Sequence, residues 1–252
     1  MKKRFCFLLA FLIAASLLCF PGGAEDSPEE SRLTDEQLYS YFDGTLFIGD
    51  SITRQLHNYT AAQRREIPGF MGEARFFTAQ SYALYTASRR LLQSSAVNLT
   101  FRGKPMALFD ILQEIQPRRV FILLGVNDYA GEKTGKAVGW AERIIDLAAD
   151  ASPETQVIYQ SLTPVTPAFC RKKDYRALWD QYNEALEAMC LRKGAGYLDI
   201  AAPLKDGDGY LRGEYSSDGE YHLNPAGLRI WVSCLLDYAQ AQYEQGAWQP
   251  EE

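Results

Sequence analysis

Five short runs rich in β-branched and aromatic residues alternate with longer segments of helical periodicity along this chain. The runs cover residues 45–49, 74–79, 119–125, 155–161 and 196–200. A run that is apolar throughout, such as 119–125, is typical of a strand that is covered on both faces of its sheet. Repetition of strand, helix and strand then implies right-handed crossovers. We therefore expect an α/β fold with a parallel, doubly wound sheet.

Helical periodicity is clearest in three segments between these runs, at residues 82–92, 136–149 and 175–192. A last helix is expected after Pro225, because proline suits the first helical turn. The segment 94–110 interrupts the alternation, and its sequence fits a small hairpin at the rim of the fold.

The two ends of the chain differ in composition from the middle. Residues 1–24 have a basic start, an apolar run and small residues at the end, which is the order of a secretory signal. The apolar run is shorter than the roughly 20 residues of a spanning helix, although an uncleaved anchor stays an alternative. Residues 25–43 then form an acidic linker and a short lead helix, for which Thr34 and Gln37 provide a capping box. We expect one domain at 44–245, followed by a polar tail at 246–252.

Charge and cysteine content limit the possible partners. The formal net charge is −6, and no Lys/Arg cluster follows the first 24 residues, which argues against nucleic acid and anionic membranes as partners. A neutral or cationic small substrate, or a polymer, is easier to accommodate. The cysteines beyond the signal are Cys170, Cys190 and Cys234, an odd number that does not suggest a disulfide scaffold.

Polar residues follow the expected strands at the edge where a doubly wound sheet binds its ligands. Ser51 follows the first run and Asn127 follows the third, while Asp218 and His222 precede the last helix. Each motif alone also fits an ordinary turn or a helix cap. Their conjunction favours a shared site.

These side chains suit nucleophilic catalysis. A serine hydroxyl needs a neighbouring base, and histidine is the usual base near neutral pH. His57 lies about 240° around the same expected helix from Ser51 and so points elsewhere. His222 therefore is the candidate base, with Asp218 as the carboxylate that orients it. The backbone N–H of Ser51 and the amide of Asn127 could donate to an oxyanion.

The same residues, in this order, resemble the SGNH hydrolases, also called the GDSL-type lipase and acylhydrolase family. The motifs are Gly49-Asp50-Ser51, with Ile52 where the family name has Leu, then Gly125-x-Asn127-Asp128, and Asp218 with His222. The resemblance spans residues 44 to about 243.

This resemblance implies a flavodoxin-like, three-layer α/β/α sandwich with a five-stranded parallel sheet. It implies ester hydrolysis without a cofactor or metal. Ser51 would be the nucleophile, His222 the base and Asp218 its partner, with Asn127 and the backbone of Ser51 in the oxyanion hole.

The chain departs from the family pattern at two positions. Asp218 precedes His222 by four residues rather than three, so the loop must absorb one residue or His222 must use another acceptor such as Glu220. Ser81 stands where the family has a glycine whose backbone N–H completes the oxyanion hole. That donor depends on whether a serine can adopt the backbone conformation.

The leading interpretation is a secreted or cell-envelope serine esterase that removes acetyl or other short acyl groups from carbohydrate. Aromatic side chains at the expected rim could stack on sugars, namely Tyr82, Tyr85, Tyr129 and Tyr221. One alternative is a lipase or lysophospholipase, with an apolar lid from segment 94–110. Another is a pseudoenzyme that binds envelope glycan.

Overall fold

The computed structural model describes residues 32–128 and 133–250. From Leu33 onward these residues belong to one compact unit. The expected signal at 1–24 and the start of the acidic linker lie outside the described residues. The compact unit begins before position 44, because the short lead helix packs against the last helix of the chain.

The strands match the five predicted runs, and two further strands form the hairpin that was predicted in segment 94–110. They are β1 (Thr45–Gly49), β2 (Arg75–Thr78), β3 (Leu99–Phe101), β4 (Lys104–Met106), β5 (Arg119–Leu123), β6 (Gln156–Gln160) and β7 (Gly196–Leu198). Strands β3 and β4 pair antiparallel as the predicted hairpin. The other five form a parallel sheet in the order β2-β1-β5-β6-β7. Counted along the chain, this is the flavodoxin-like order 2-1-3-4-5.

The helices cover both faces of this sheet. They are α1 (Asp35–Ser40), α2 (Ser51–Glu66), α3 (Leu84–Ala87), α4 (Leu108–Ile115), α5 (Thr134–Ala151), α6 (Tyr175–Lys193) and α7 (Pro225–Glu244). Helices α1 and α2 pack with α7, whereas α4, α5 and α6 pack side by side. Right-handed crossovers in this strand order place the two groups on opposite faces. The predicted three-layer α/β/α sandwich is therefore confirmed.

Strand β1, an inner strand of the sheet, is held by stacked aromatic rings. Phe47 of β1 lies between Phe76 of β2 and Phe121 of β5, with ring centroids 4.9 and 5.1 Å apart. Every residue of β1 is buried. Such close packing restricts the motion of the strand end, and Ser51 lies two residues beyond that end, after Asp50.

The expected helix at 82–92 is much shorter, since α3 ends at Ala87. The carboxylate of Asp128 accepts hydrogen bonds from the backbone N–H groups of Leu84 and Tyr85 and so sets the start of α3. The hydroxyl of Ser88 donates to the carbonyl of Tyr85, which a longer helix would have paired with the amide of Arg89. Leu91, part of the apolar pattern behind the prediction, is 76% exposed.

The predicted capping box at Thr34 is present, with both of its hydrogen bonds formed. In the tail, Trp248 packs edge-on against Tyr41 with the ring centroids 5.1 Å apart. Cys170, Cys190 and Cys234 are free thiols. Within residues 32–128 and 133–250, none of the helices combines the length and hydropathy needed to cross a membrane.

Candidate active site

The candidate site lies at the carboxyl ends of β1 and β5, where the strand order reverses. This reversal is the usual ligand-binding position of a doubly wound sheet. Ser51 is the first residue of α2 and is separated from β1 by Asp50 alone, and Asn127 lies in a single 3-10 turn at Val126–Asp128 after β5. Parallel pairing of β1 with β5 brings these two turns side by side.

The predicted serine, histidine and aspartate form one hydrogen-bonded chain. The Oγ atom of Ser51 lies 3.0 Å from Nε2 of His222. The opposite ring nitrogen, Nδ1, lies 2.6 Å from Oδ2 of Asp218. These distances allow the imidazole to take the Ser51 proton while Asp218 fixes the ring orientation.

The extra residue between Asp218 and His222 is absorbed by a tight loop centred on the carboxylate. Oδ1 of Asp218 accepts the backbone N–H groups of Glu220, Tyr221 and His222 at 2.8, 3.1 and 3.3 Å. Gly219 takes a left-handed φ of 76°, which a glycine adopts without steric cost. Oδ2 stays directed at the ring, so His222 has its carboxylate from Asp218 and does not depend on Glu220.

The pKa of Asp218 reflects these contacts. Burial raises the pKa of its carboxyl, but the hydrogen bonds from the His222 ring and the Glu220 amide outweigh that effect. The pKa therefore lies below its ordinary value, and the carboxylate is ionised at neutral pH. An ionised Asp218 can stabilise the positive charge that His222 gains when it accepts a proton.

Two residues that the sequence analysis did not single out hold the loop in place. Gln55 accepts the backbone N–H of Leu223 at 3.0 Å and donates to the hydroxyl of Ser217 at 3.3 Å. Thr166 donates through its hydroxyl to the carbonyl of Gly219 at 2.5 Å. The position of Gln55, four residues after Ser51 and thus on the same helix face, is a signal that sequence reasoning could have used.

The site has two candidate donors for an oxyanion, the backbone N–H of Ser51 and the side-chain amide of Asn127. Ser51 opens α2, so its backbone N–H has no acceptor within the helix and points out of the N-terminus. The side-chain amide of Asn127 lies nearby, but both of its protons have acceptors. They are Oδ2 of Asp50 at 2.7 Å and the carbonyl of Tyr82 at 3.1 Å.

Asp50 is a fully buried carboxylate beneath the candidate nucleophile. Its Oδ1 accepts the backbone N–H of Ile52 and so caps α2, while Oδ2 accepts from Asn127. Burial raises the pKa of Asp50 to about 6, and the charge of Asp128 adds to the rise. The Ile52 hydrogen bond and the charge of His222 oppose it. The sequence analysis treated Asp50 only as part of a motif and missed its contact with Asn127.

Ser81 occupies the left-handed conformation that favours glycine, with a φ of 60°. It lies in a turn closed by the hydrogen bond from the Tyr82 amide to the Ala79 carbonyl. The amide of Ala79 donates to the carbonyl of Gly49, which ties this turn to the end of β1. Its neighbour Gln80 lines the cleft beside Ser51, whereas Ser81 does not.

That cleft is small, open and polar, with a volume of about 320 Å³. Besides the three candidate catalytic residues, polar side chains line it, namely Arg54, Gln55, Asn58, Gln80 and Ser217.

The aromatic residues proposed to stack on sugars are placed differently from one another. Tyr82 is buried in the core, and Tyr221 packs edge-on against Phe169 and Trp179. The Tyr82 ring therefore cannot stack on a sugar, whereas Tyr221 is only partly buried. Tyr85 is 41% exposed and lines a second cavity next to Asn127, while Tyr129 lies outside the described residues.

His57 points away from the site, as the helical spacing predicted. Its ring stacks on Phe76 with the centroids 4.9 Å apart. Burial lowers the pKa of His57, and the neighbouring Arg64 lowers it further.

Comparison with known proteins decides the family. Residues 47–230 match the model of the GDSL-like Lipase/Acylhydrolase family. The chain belongs to that family. As a GDSL-like acylhydrolase it is a hydrolase of ester bonds. No curated protein sequence matches the chain.

Solved structures share the fold of this GDSL-like acylhydrolase at low sequence identity. A GDSL-like lipase from Bacteroides thetaiotaomicron is 17% identical with a TM-score of 0.58, covering 78% of this chain and 87% of its own. An acetyl-xylooligosaccharide esterase from Geobacillus is 15% identical with a TM-score of 0.56, covering 77% and 93%. A carbohydrate esterase family 3 protein from Talaromyces cellulolyticus is 14% identical with a TM-score of 0.54, covering 80% and 98%.

The described part of this GDSL-like acylhydrolase contains no group of three or more His, Cys, Asp or Glu side chains arranged to hold a metal ion.

Proposed function

We propose that this protein is a secreted serine esterase that removes acetyl or other short acyl groups from carbohydrate. The observation that carries the proposal is the hydrogen-bonded chain from Ser51 through His222 to Asp218, with contacts of 3.0 and 2.6 Å. A hydroxyl, an imidazole and a carboxylate at these distances form the arrangement that acyl transfer by a serine uses.

In the proposed mechanism, Ser51 Oγ attacks the ester carbonyl while Nε2 of His222 takes the hydroxyl proton. Asp218 stabilises the resulting imidazolium through Nδ1. The proton then passes from His222 to the alcohol that leaves, and an acyl-serine remains. A water molecule, deprotonated by the same imidazole, hydrolyses this acyl-serine and restores Ser51.

The oxyanion of each tetrahedral intermediate would accept the backbone N–H of Ser51 and one proton of the Asn127 amide. The contact of Asn127 with the Tyr82 carbonyl is the longer of its two, so we propose that the oxyanion replaces it. The backbone N–H of Ser81 is a third donor in this proposal. Each such donor typically lowers the barrier by roughly 3 to 4 kcal/mol.

The shape and polarity of the cleft support a short acyl group on a hydroxylated alcohol. The amide side chains of Gln55, Asn58 and Gln80 offer donors and acceptors for sugar hydroxyls. Structural neighbours include an acetyl-xylooligosaccharide esterase and an acetyl xylan esterase, which agrees with this choice. The predicted signal at residues 1–24 is the basis for proposing secretion or the cell envelope.

The lipase alternative has less support. It required an apolar lid from segment 94–110, but Leu99 and Phe101 are buried, and Phe101 packs against Phe77 of β2. Val97 is partly exposed at 40%, too little apolar surface to cover a chain-binding groove. If the protein hydrolyses no ester, the alternative of a pseudoenzyme that binds envelope glycan would be favoured.

Hydrolysis of p-nitrophenyl esters by the purified protein tests the proposal. We expect turnover of the acetyl ester, and a fall on the order of 10⁴- to 10⁶-fold in Ser51→Ala. The matched control is Ser95→Ala, which removes an exposed hydroxyl from a loop and should leave the rate unchanged. Equal rates for wild type and Ser51→Ala would refute catalysis by Ser51. A rate that climbs from acetyl to decanoyl esters would favour the lipase instead.

A further inference from the structure

A second cavity, larger than the catalytic cleft, opens next to Asn127. Its volume is about 760 Å³. Tyr85 of α3 and Trp140 of α5 form its aromatic part, with the two rings edge to face and their centroids 5.3 Å apart. Because Asn127 lines this cavity and also contacts Asp50 beneath Ser51, a ligand in the cavity would lie beside the reacting ester.

Two glycines of α5 keep this cavity open. Gly135 and Gly139 are one helical turn apart and both line it. A Cβ atom built at either position meets nothing within 4 Å, and neither has a left-handed φ. Neither packing nor backbone conformation therefore requires glycine here, although glycine weakens a helix. The consequence of the missing side chains is empty space above the helix.

The cavity carries positive charge in a chain whose net charge is −6. Arg89, Lys136 and Arg143 line it, and its one carboxylate among the described residues, Asp128, accepts two backbone N–H groups of α3. The first turn of α5 adds the positive end of a helix dipole.

Arg89 is positioned by an aromatic ring. Its guanidinium lies over the ring of Tyr85, 4.3 Å from the centroid. Its Nε atom is buried and has no hydrogen-bond partner in the described part of the chain. Arg89 also lines the cavity, so an anionic ligand there would accept hydrogen bonds from the guanidinium.

We infer that this cavity is a subsite for an acidic saccharide, in which Arg89 and Arg143 bind the anionic group while the exposed ring of Tyr85 contacts the sugar ring. This assignment rests on the proposed esterase function, because it places the acylated residue in the catalytic cleft and an acidic residue of the same substrate in the cavity. The anionic group is a carboxylate or a phosphate, since a guanidinium binds both.

The test compares kcat/KM on three acetylated substrates: an oligogalacturonide, a sugar phosphate and a neutral xylo-oligosaccharide. In Arg89→Gln/Arg143→Gln, the preference for an acidic over the neutral substrate should fall at least about tenfold, since hydrogen bonds to charged groups typically contribute that much. Arg229→Gln, which removes an exposed arginine of α7, is the matched control and should keep the preference.

A second variant, Gly139→Leu, fills the cavity without removing a charge. It should lower kcat/KM for the acidic substrates in the same way, mainly by raising their KM. The two acidic substrates distinguish a carboxylate from a phosphate. The substrate whose kcat/KM falls in Arg89→Gln/Arg143→Gln carries the group that the arginines bind. A preference that is unchanged in both variants, or absent from the wild type, would overturn the subsite.

Binding to Ser51→Ala separates this inference from the proposed function. Calorimetry with an unacetylated oligogalacturonide and with a sugar phosphate should show binding of at least one that Arg89→Gln/Arg143→Gln weakens. If that binding is found but no ester is hydrolysed by the wild type, the subsite stands and the esterase proposal fails. If esters are hydrolysed but neither probe binds, the subsite fails and the esterase proposal stands.

Discussion

Nδ2 of Asn127 donates a hydrogen bond of 2.7 Å to Oδ2 of the buried Asp50. The other oxygen of Asp50 caps the helix that begins at Ser51. One carboxylate therefore contacts both the helix start, which carries the candidate nucleophile, and the side chain proposed to bind the oxyanion. This link makes Asp50 a positioning residue in the proposed mechanism.

Replacing Asp50 by asparagine should lower kcat by roughly 10²-fold, comparable to the loss of one oxyanion donor. Two N–H donors face the carboxylate, and an amide offers only one oxygen to them. Asn127 would then face an NH₂ group and rotate away. Steady-state kinetics on p-nitrophenyl acetate measures the effect, with Asn127→Ala expected to give a loss of similar size.

Asp174→Asn is the matched control, because Asp174 also caps a helix with its carboxylate but lies far along the chain at α6. It should retain the wild-type kcat. A wild-type kcat in Asp50→Asn would contradict the positioning role.

The raised pKa of Asp50 predicts a pH dependence of stability. Its pKa is about 6 in the folded protein and about 3.9 in an unfolded chain, so the folded state binds the proton more tightly. The free energy of unfolding should therefore fall as the pH rises from about 4 to about 6, by on the order of 3 kcal/mol from this group. Urea unfolding of wild type and Asp50→Asn across this range isolates the contribution, because other groups cancel in the difference.

The difference between the two proteins should change across that window and be constant above pH 7. A difference that is constant from pH 4 to 7 would show that Asp50 ionises normally.

The 2.6 Å contact between Asp218 and the His222 ring predicts that Asp218 and not Glu220 orients His222. Asp218→Asn should lower kcat by roughly 10⁴-fold. The amide would favour the wrong tautomer of His222, and it carries no negative charge to stabilise the imidazolium. Glu220→Gln serves as the matched control, since only its backbone takes part in the loop contacts found here. A large loss in Glu220→Gln with a small one in Asp218→Asn would reverse the assignment.

The left-handed φ of Ser81 indicates strain in the turn after β2. A non-glycine residue with a left-handed φ costs roughly 1 to 2 kcal/mol, and glycine recovers part of that at the expense of unfolded-state entropy. We expect Ser81→Gly to raise the free energy of unfolding by about 0.5 kcal/mol. The β-branched Ser81→Val should lower it by about 1 kcal/mol or more, because valine tolerates this region poorly. Equal stability of both variants in urea unfolding would contradict a strained turn.

Local patterns were enough to predict the five strands, the hairpin and the capping box at Thr34, because burial and helix capping are encoded by neighbours in sequence. The helix at 82–92 could not be predicted correctly. Its start depends on Asp128, which is distant in sequence, and its apolar residues Leu91 and Leu92 are exposed instead of packed.

The site shows the same division. Parallel strands end at one edge of a sheet, so the order of Ser51, Asn127 and His222 along the chain already indicated that they share that edge. Sequence spacing alone could not decide whether Asp218 reaches His222, since one inserted residue can be absorbed or can break the contact. The loop conformation at Gly219 decides it.

The sequence by itself determined the fold class and the placement of Ser51, Asn127 and His222 at one edge of the sheet, because both follow from periodicity and from the chemistry that each residue type allows. Only the tertiary structure decided that Asp50 contacts Asn127, that Tyr82 is core while Tyr85 lines a cavity, and that the guanidinium of Arg89 lies over the Tyr85 ring. These facts depend on side chains from separate elements meeting in space, and no local pattern specifies the distance between them.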